Sequence, residues 1–133
     1  MMTEPIVIEP IMQKDAADCG VACLAMFLSI PYREARIACP KRVGADGLSV
    51  RQLQNIAKRL GYSLSYSKLY DEEDIGILDL QRLSSDGKDT EGHFALYVKD
   101  TVYNPAQGEW WTDADTYLKE SRYTVDGILR RKL

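Results

Sequence analysis

Gln13-Lys14-Asp15-Ala16-Ala17-Asp18-Cys19-Gly20-Val21-Ala22-Cys23-Leu24-Ala25-Met26 is polar up to Asp18 and small or apolar after it. The change reads as a loop entering a helix. Asp18 is the residue type that caps such an entry, and the compact residues after it predict a helix over Cys19 to Ser29, ended by Pro31. Cys19 therefore stands at a helix N-terminus. Unpaired backbone N–H groups and the helix dipole there favour a thiolate, the reactive form of cysteine. Position alone leaves two readings open for Cys19, a nucleophile and a buried inert thiol. Cys23 lies one turn on, inside the apolar run, and reads as core. Cys39 precedes Pro40 at a helix end and reads as structural.

Outward from this stretch the pattern changes twice. Upstream, Pro5 and Pro10 hold Ile6 to Gln13 as an extended lead-in. Downstream, Tyr32 to Ala38 predicts a short second helix and Val43 to Leu48 a glycine-containing loop. Ser49, with Gln52 three residues on, forms a capping box for a third helix. That helix shows Val50, Leu53, Ile56, Ala57 and Leu60 on one face, and Gly61 closes it. Beyond Gly61 the hydrophobic period falls from 3.6 to 2. Tyr62, Leu64 and Tyr66 alternate through a strand, Ile75 to Leu83 forms another, and Ser84 to Gly92 is a polar hairpin loop. Phe94, Leu96 and Val98 alternate through the next strand, and Val102 to Asn104 returns from it. Asp113 to Glu120 reads as a short helix and Tyr123 to Leu129 as a last strand. Helices first and strands later is the order of an α+β fold, with N-terminal helices packed on a C-terminal antiparallel sheet. The 133 residues fit one domain, 1–133, which buries about two-thirds of its unfolded surface and needs neither metal nor disulfide to fold.

Composition narrows the function classes. Charged residues are 28% and the net charge is -3, against the basic patch that nucleic-acid binders carry. The basic clusters Lys41-Arg42 and Arg130-Arg131-Lys132 are short and read as solvated edges. Three cysteines and no signal-peptide pattern predict free thiols in a reducing compartment. The longest near-apolar run, Val21 to Ile30, is half the roughly 20 residues that a membrane helix needs. A soluble cytoplasmic protein is expected, with no nucleic-acid or membrane partner, no metal and no cofactor. One histidine and three cysteines without a paired CxxC do not make a zinc site.

A cysteine nucleophile needs a base, and His93 is the single histidine. If the strands of His93 to Val98 and Thr101 to Ala106 turn at Lys99-Asp100, Val98 faces Thr101 and Ala95 faces Asn104. His93, Ala95, Val102 and Asn104 then share one face, with His93 and Asn104 diagonal neighbours. The Asn104 amide oxygen can accept the imidazole N–H and orient the ring, and Asn104-Pro105 equally suits a turn. Gln13, six residues before Cys19, offers a neutral amide donor for a developing oxyanion.

The Gln13–Met26 stretch resembles the active-site segment of the bacteriocin-processing, or double-glycine, cysteine peptidases of the papain-like superfamily, whose pattern is a glutamine, five residues, Asp-Cys-Gly and a small, apolar helix. Gly47-Leu48-Ser49 with Leu53, His93-Phe94-Ala95-Leu96-Tyr97-Val98 and Asn104-Pro105 resemble the family's later segments in order, so that the likeness runs from about Ile11 to Gln107. The resemblance implies a papain-like fold and a triad: Cys19 attacks, His93 moves the proton, Asn104 orients His93, and Gln13 with the Cys19 N–H forms the oxyanion hole. It also implies a peptide or protein substrate with small residues, such as Gly-Gly, at the scissile bond. The family carries aspartate where this chain has Asn104, whereas papain uses asparagine there. The family's best-known members are domains of membrane exporters, and this sequence shows no membrane span or P-loop. Two other uses of the same residues stay open: deamidation or acyl transfer, and peptide binding without cleavage.

Overall fold

The computed structural model describes residues 11, 18–39, 48–106, 109–111 and 113–132. All of the lead-in up to Gln13 except Ile11, and most of the Val43 to Leu48 loop, lie outside the described residues. The first helix, α1 (Cys19–Leu28), begins where the polar-to-apolar switch placed it, and all ten of its residues are buried. A short, uniformly apolar helix of this kind is stable only inside a protein, where each fully buried Val or Leu contributes about 1.5–3 kcal/mol. Asp18 holds the N-cap position, but its side chain caps no backbone N–H. It instead accepts the hydroxyl proton of Tyr32 from α2 (Tyr32–Ile37), tying the two helices together. Helix α3 (Val50–Arg59) has the full capping box: Ser49 Oγ accepts from the Gln52 N–H at 3.1 Å, and Gln52 Oε1 from the Ser49 N–H at 2.8 Å. Its Leu53, Ile56 and Ala57 are buried.

The remaining elements are β1 (Leu64–Ser67), β2 (Ile75–Leu83), β3 (Thr90–Val98), β4 (Thr101–Asn104), β5 (Glu109–Trp111), α4 (Ala114–Ser121) and β6 (Thr124–Arg131). The strands form one antiparallel sheet in the order β1-β6-β2-β3-β4-β5. Two differences from the sequence reading stand out. The hairpin loop is shorter than Ser84 to Gly92, because β3 starts at Thr90 and pairs with β2 to its end, Leu83↔Thr90. Strand β5, which the alternation did not reveal, pairs with β4 at the sheet edge.

Alternation along the strands divides the core in two. Ile77, Phe94, Leu96, Val98 and Leu129 pack with α1, α2 and α3. Leu78, Leu80, Ala95, Tyr97, Val102 and Ile128 point the other way, against Ala114 and Tyr117 of α4. The sheet is thus covered on both faces. Gly20 lets α1 settle on it closely, since a Cβ there would come within 2.9 Å of Leu53 Cδ2 and 3.3 Å of Phe94 Cδ2. Among the described residues no helix is long and apolar enough to cross a membrane.

Candidate active site

The β3–β4 hairpin turns at Lys99 and Asp100, both with positive φ (47° and 70°), as a two-residue turn matched to strand twist requires. Its register is Val98↔Thr101, Tyr97↔Val102 and Leu96↔Tyr103. This is the pairing the sequence predicts, and it brings His93 and Asn104 together: His93 Nε2 lies 2.9 Å from Asn104 Oδ1. The same Oδ1 accepts the Ala106 backbone N–H at 3.1 Å. An atom accepting from a backbone N–H is the amide oxygen, so the ring nitrogen facing it is the donor. The neutral imidazole therefore carries its proton on Nε2 and presents a bare Nδ1. Asp100 stays at the turn, its carbonyl accepting from the Ala114 N–H.

Cys19 and His93 line one cleft of about 270 Å³ together with Leu48, Ser49, Val50, Asp79, Gln81, Gly92 and Phe94. They approach it from different layers. Cys19 opens α1 on the helical face, whereas His93 alternates with Phe94 and belongs to the α4 face. The Phe94, Gly20 and Cys19 backbone groups favour a Cys19 anion, as expected at a helix N-terminus, but burial is the larger effect and the thiol is held above its ordinary range. The helix start does not by itself yield a resting thiolate. Burial likewise pushes the His93 imidazole below its ordinary value. The Asn104 hydrogen bond opposes this shift, and the Arg82 charge adds to it.

Cys23 is fully buried and Cys39 donates to the Ala35 carbonyl at 3.2 Å; all three cysteines are buried free thiols. Gln13 lies outside the described residues, so the oxyanion side of the cleft is not part of this geometry.

Three contributors carried no local signal in the sequence. Tyr123 stacks on His93 with ring centroids 5.4 Å apart and planes 15° from parallel. Arg82, paired with Glu91 at 2.9 Å, sits 4.4 Å over the Tyr123 ring. Tyr123 thus packs on the imidazole and carries the Arg82 guanidinium over its own ring, which holds the plane of His93. Asp79 is the third. It is half-buried in the cleft wall, and Tyr66 Oη donates to its Oδ2 at 2.9 Å across the intervening strand β6. Gly127 makes that crossing possible, because a Cβ there would lie 2.4 Å from the Tyr66 ring. The Tyr123 contacts with His93 and Arg82 join residues about 30 to 40 positions apart in sequence.

The sequence matches the model of the Peptidase C39 family over residues 8–116. No curated protein matches it. Among solved structures, the crystal structure of a double glycine motif protease from an AMS/PCAT transporter in complex with the leader peptide is similar to it. The TM-score is 0.61 at 21% identity, covering 95% of this chain and 91% of that one. That likeness is one of fold, and it makes the architecture papain-like. Because the family model spans most of the chain, which carries the expected cysteine and histidine in one cleft, the chain belongs to the Peptidase C39 family and is a cysteine peptidase.

Proposed function

We propose that this chain hydrolyses a peptide or isopeptide bond through an acyl-enzyme on Cys19, after small residues such as Gly-Gly. The observation that carries this reading is the His93–Asn104 hydrogen bond, which leaves Nδ1 bare in a cleft shared with Cys19. In the first step Cys19 Sγ attacks the scissile carbonyl carbon while its proton passes to His93 Nδ1. The Nε2–H remains on Asn104, which keeps the ring aligned as it becomes cationic. The Gln13 amide and the Cys19 backbone N–H stabilise the oxyanion. The imidazolium then gives its proton to the departing amine, and the carbonyl re-forms as a thioester. Water, losing a proton to His93, attacks the thioester, and collapse returns the Cys19 thiol.

The small-residue preference rests on the resemblance and on the leader peptide bound by the structurally similar protease. Free buried thiols fit a reducing compartment, the cytoplasm, and one domain suffices for this chemistry. Incubation of the purified protein with peptides containing Gly-Gly, read by mass spectrometry, tests the proposal. Two fragments are expected, lost in Cys19→Ala and His93→Ala proteins that still melt cooperatively. A gain of about one dalton without chain cleavage, the mark of amide hydrolysis at a side chain, would replace the peptidase reading with deamidation.

A further inference from the structure

The wall of the cleft carries a charge that the proposed triad does not use. Asp79 lines it beside Gln81 and Gly92, and its hydrogen-bond partners, the Tyr66 hydroxyl and the Gln81 side chain, are neutral. The ion pairs Arg82–Glu91 and Arg130–Asp74 leave it out. The further charge that acts on it is another carboxylate, Asp126. Asp126 is the extra residue of a bulge, since the pairing runs Asp79↔Gly127 and then Leu80↔Val125. Bulges occur beside functional sites because they re-aim side chains. The carboxylate that acts on the Cys19 thiol is Asp18, and the charge that acts on His93 is Arg82. Asp79 lines the same cleft as the proposed reacting pair and faces the space a substrate must occupy.

A half-buried carboxylate met only by neutral groups and a second carboxylate is costly unless a cation joins it. Among the described residues, every other side chain lining the cleft is uncharged or is His93 itself. A cationic side chain on a bound substrate would supply that partner. We infer that Asp79 is a specificity-determining residue, selecting peptides that bring a Lys or Arg side chain alongside the small residues at the scissile bond. This rests on the peptidase reading and adds the charge of the substrate to it. Gly127 and Tyr66 fix the carboxylate, so that selection comes from a positioned group rather than a loose surface charge.

The test uses matched Gly-Gly peptides that differ only by Lys, Gln or Glu at each flanking position. For wild type, kcat/KM should be roughly tenfold higher with Lys than with Gln at one position, lower again with Glu, and the advantage should shrink as salt rises. In Asp79→Asn the Lys-to-Gln ratio should fall to about one. Binding of the same peptides to the Cys19→Ala protein, measured by fluorescence anisotropy, should show the same order without turnover. A wild-type protein indifferent to charge at every position overturns the inference, as does an Asp79→Asn protein that keeps the Lys preference. If no peptide is cut, the peptidase reading fails, and charge-independent or absent binding in the anisotropy series then sinks the Asp79 assignment separately.

Discussion

Cys19 and His93 are displaced in opposite directions, the thiol upward and the imidazole downward, chiefly by burial. Both shifts favour the uncharged forms, thiol and neutral imidazole, and in the proposed mechanism the proton then moves as the carbonyl is attacked. The activity profile should therefore be flat across neutral pH. Its acid limb should fall below the ordinary histidine value of about 6.5, and its alkaline limb above the ordinary thiol range. Measured kcat/KM against pH checks this, and an acid limb at or above pH 7 contradicts it. Removing the nearby cation with Arg82→Gln should move the acid limb upward. The sign for stability follows: His93 binds its proton more readily unfolded than folded, so its contribution is intact above about pH 6.5 and is lost as pH falls below it. In the proposed mechanism Asn104 acts through His93, so Asn104→Ala should cost less activity than His93→Ala, and Asn104→Asp should retain the alignment and add a charge beside the imidazolium. Asp100, held at the hairpin turn, should tolerate Asp100→Ala with little change in rate. Comparison of kcat/KM across these four variants decides the matter, and a crippled Asp100→Ala beside a healthy Asn104→Ala would reassign the orienting residue.

At the level of elements, the site depends on two close approaches. Gly20 lets α1 meet β3, and Gly127 lets the Tyr66 side chain cross β6 to reach Asp79. Gly127→Ala would drive a methyl group into the phenol ring and to within 2.7 Å of the Ser67 carbonyl oxygen. Neither can retreat without disturbing the β1–β6 pairing, so a destabilisation of about 1–3 kcal/mol is expected. Denaturant unfolding monitored by circular dichroism reads this directly, and an unchanged midpoint would mean that Tyr66 does not lie across β6. The capping box on α3 and the Lys99-Asp100 turn were legible beforehand because each is written within a few consecutive residues. The true start of β3 was not, since Thr90 to Gly92 are polar and small and become strand only by pairing with β2.

Across the whole molecule, local pattern and long-range pairing divide what a sequence discloses. The helices, the α+β class and the His93–Asn104 register follow from period and turn chemistry, and the resemblance carried by Gln13 to Met26 named the family. The position of β6 between β1 and β2, the edge strand β5, Tyr123 on His93 and Asp79 in the cleft are set by neighbours far away along the chain. No window of residues contains them. The capping role of Asp18 and the resting thiolate at Cys19 were local rules that tertiary contacts overrode, through Tyr32 and through burial. The place of β6 has a consequence for how the chain is made. The sixth strand to leave the ribosome is not an edge but an inner strand, and just before it comes Tyr123, the ring stacked on His93. Until that strand emerges, β1 and β2 have no shared partner and His93 lacks one of its walls. Synthesis order thus completes the cleft late: Cys19, His93 and Asn104 are all made before the strand and the ring that wall His93 in.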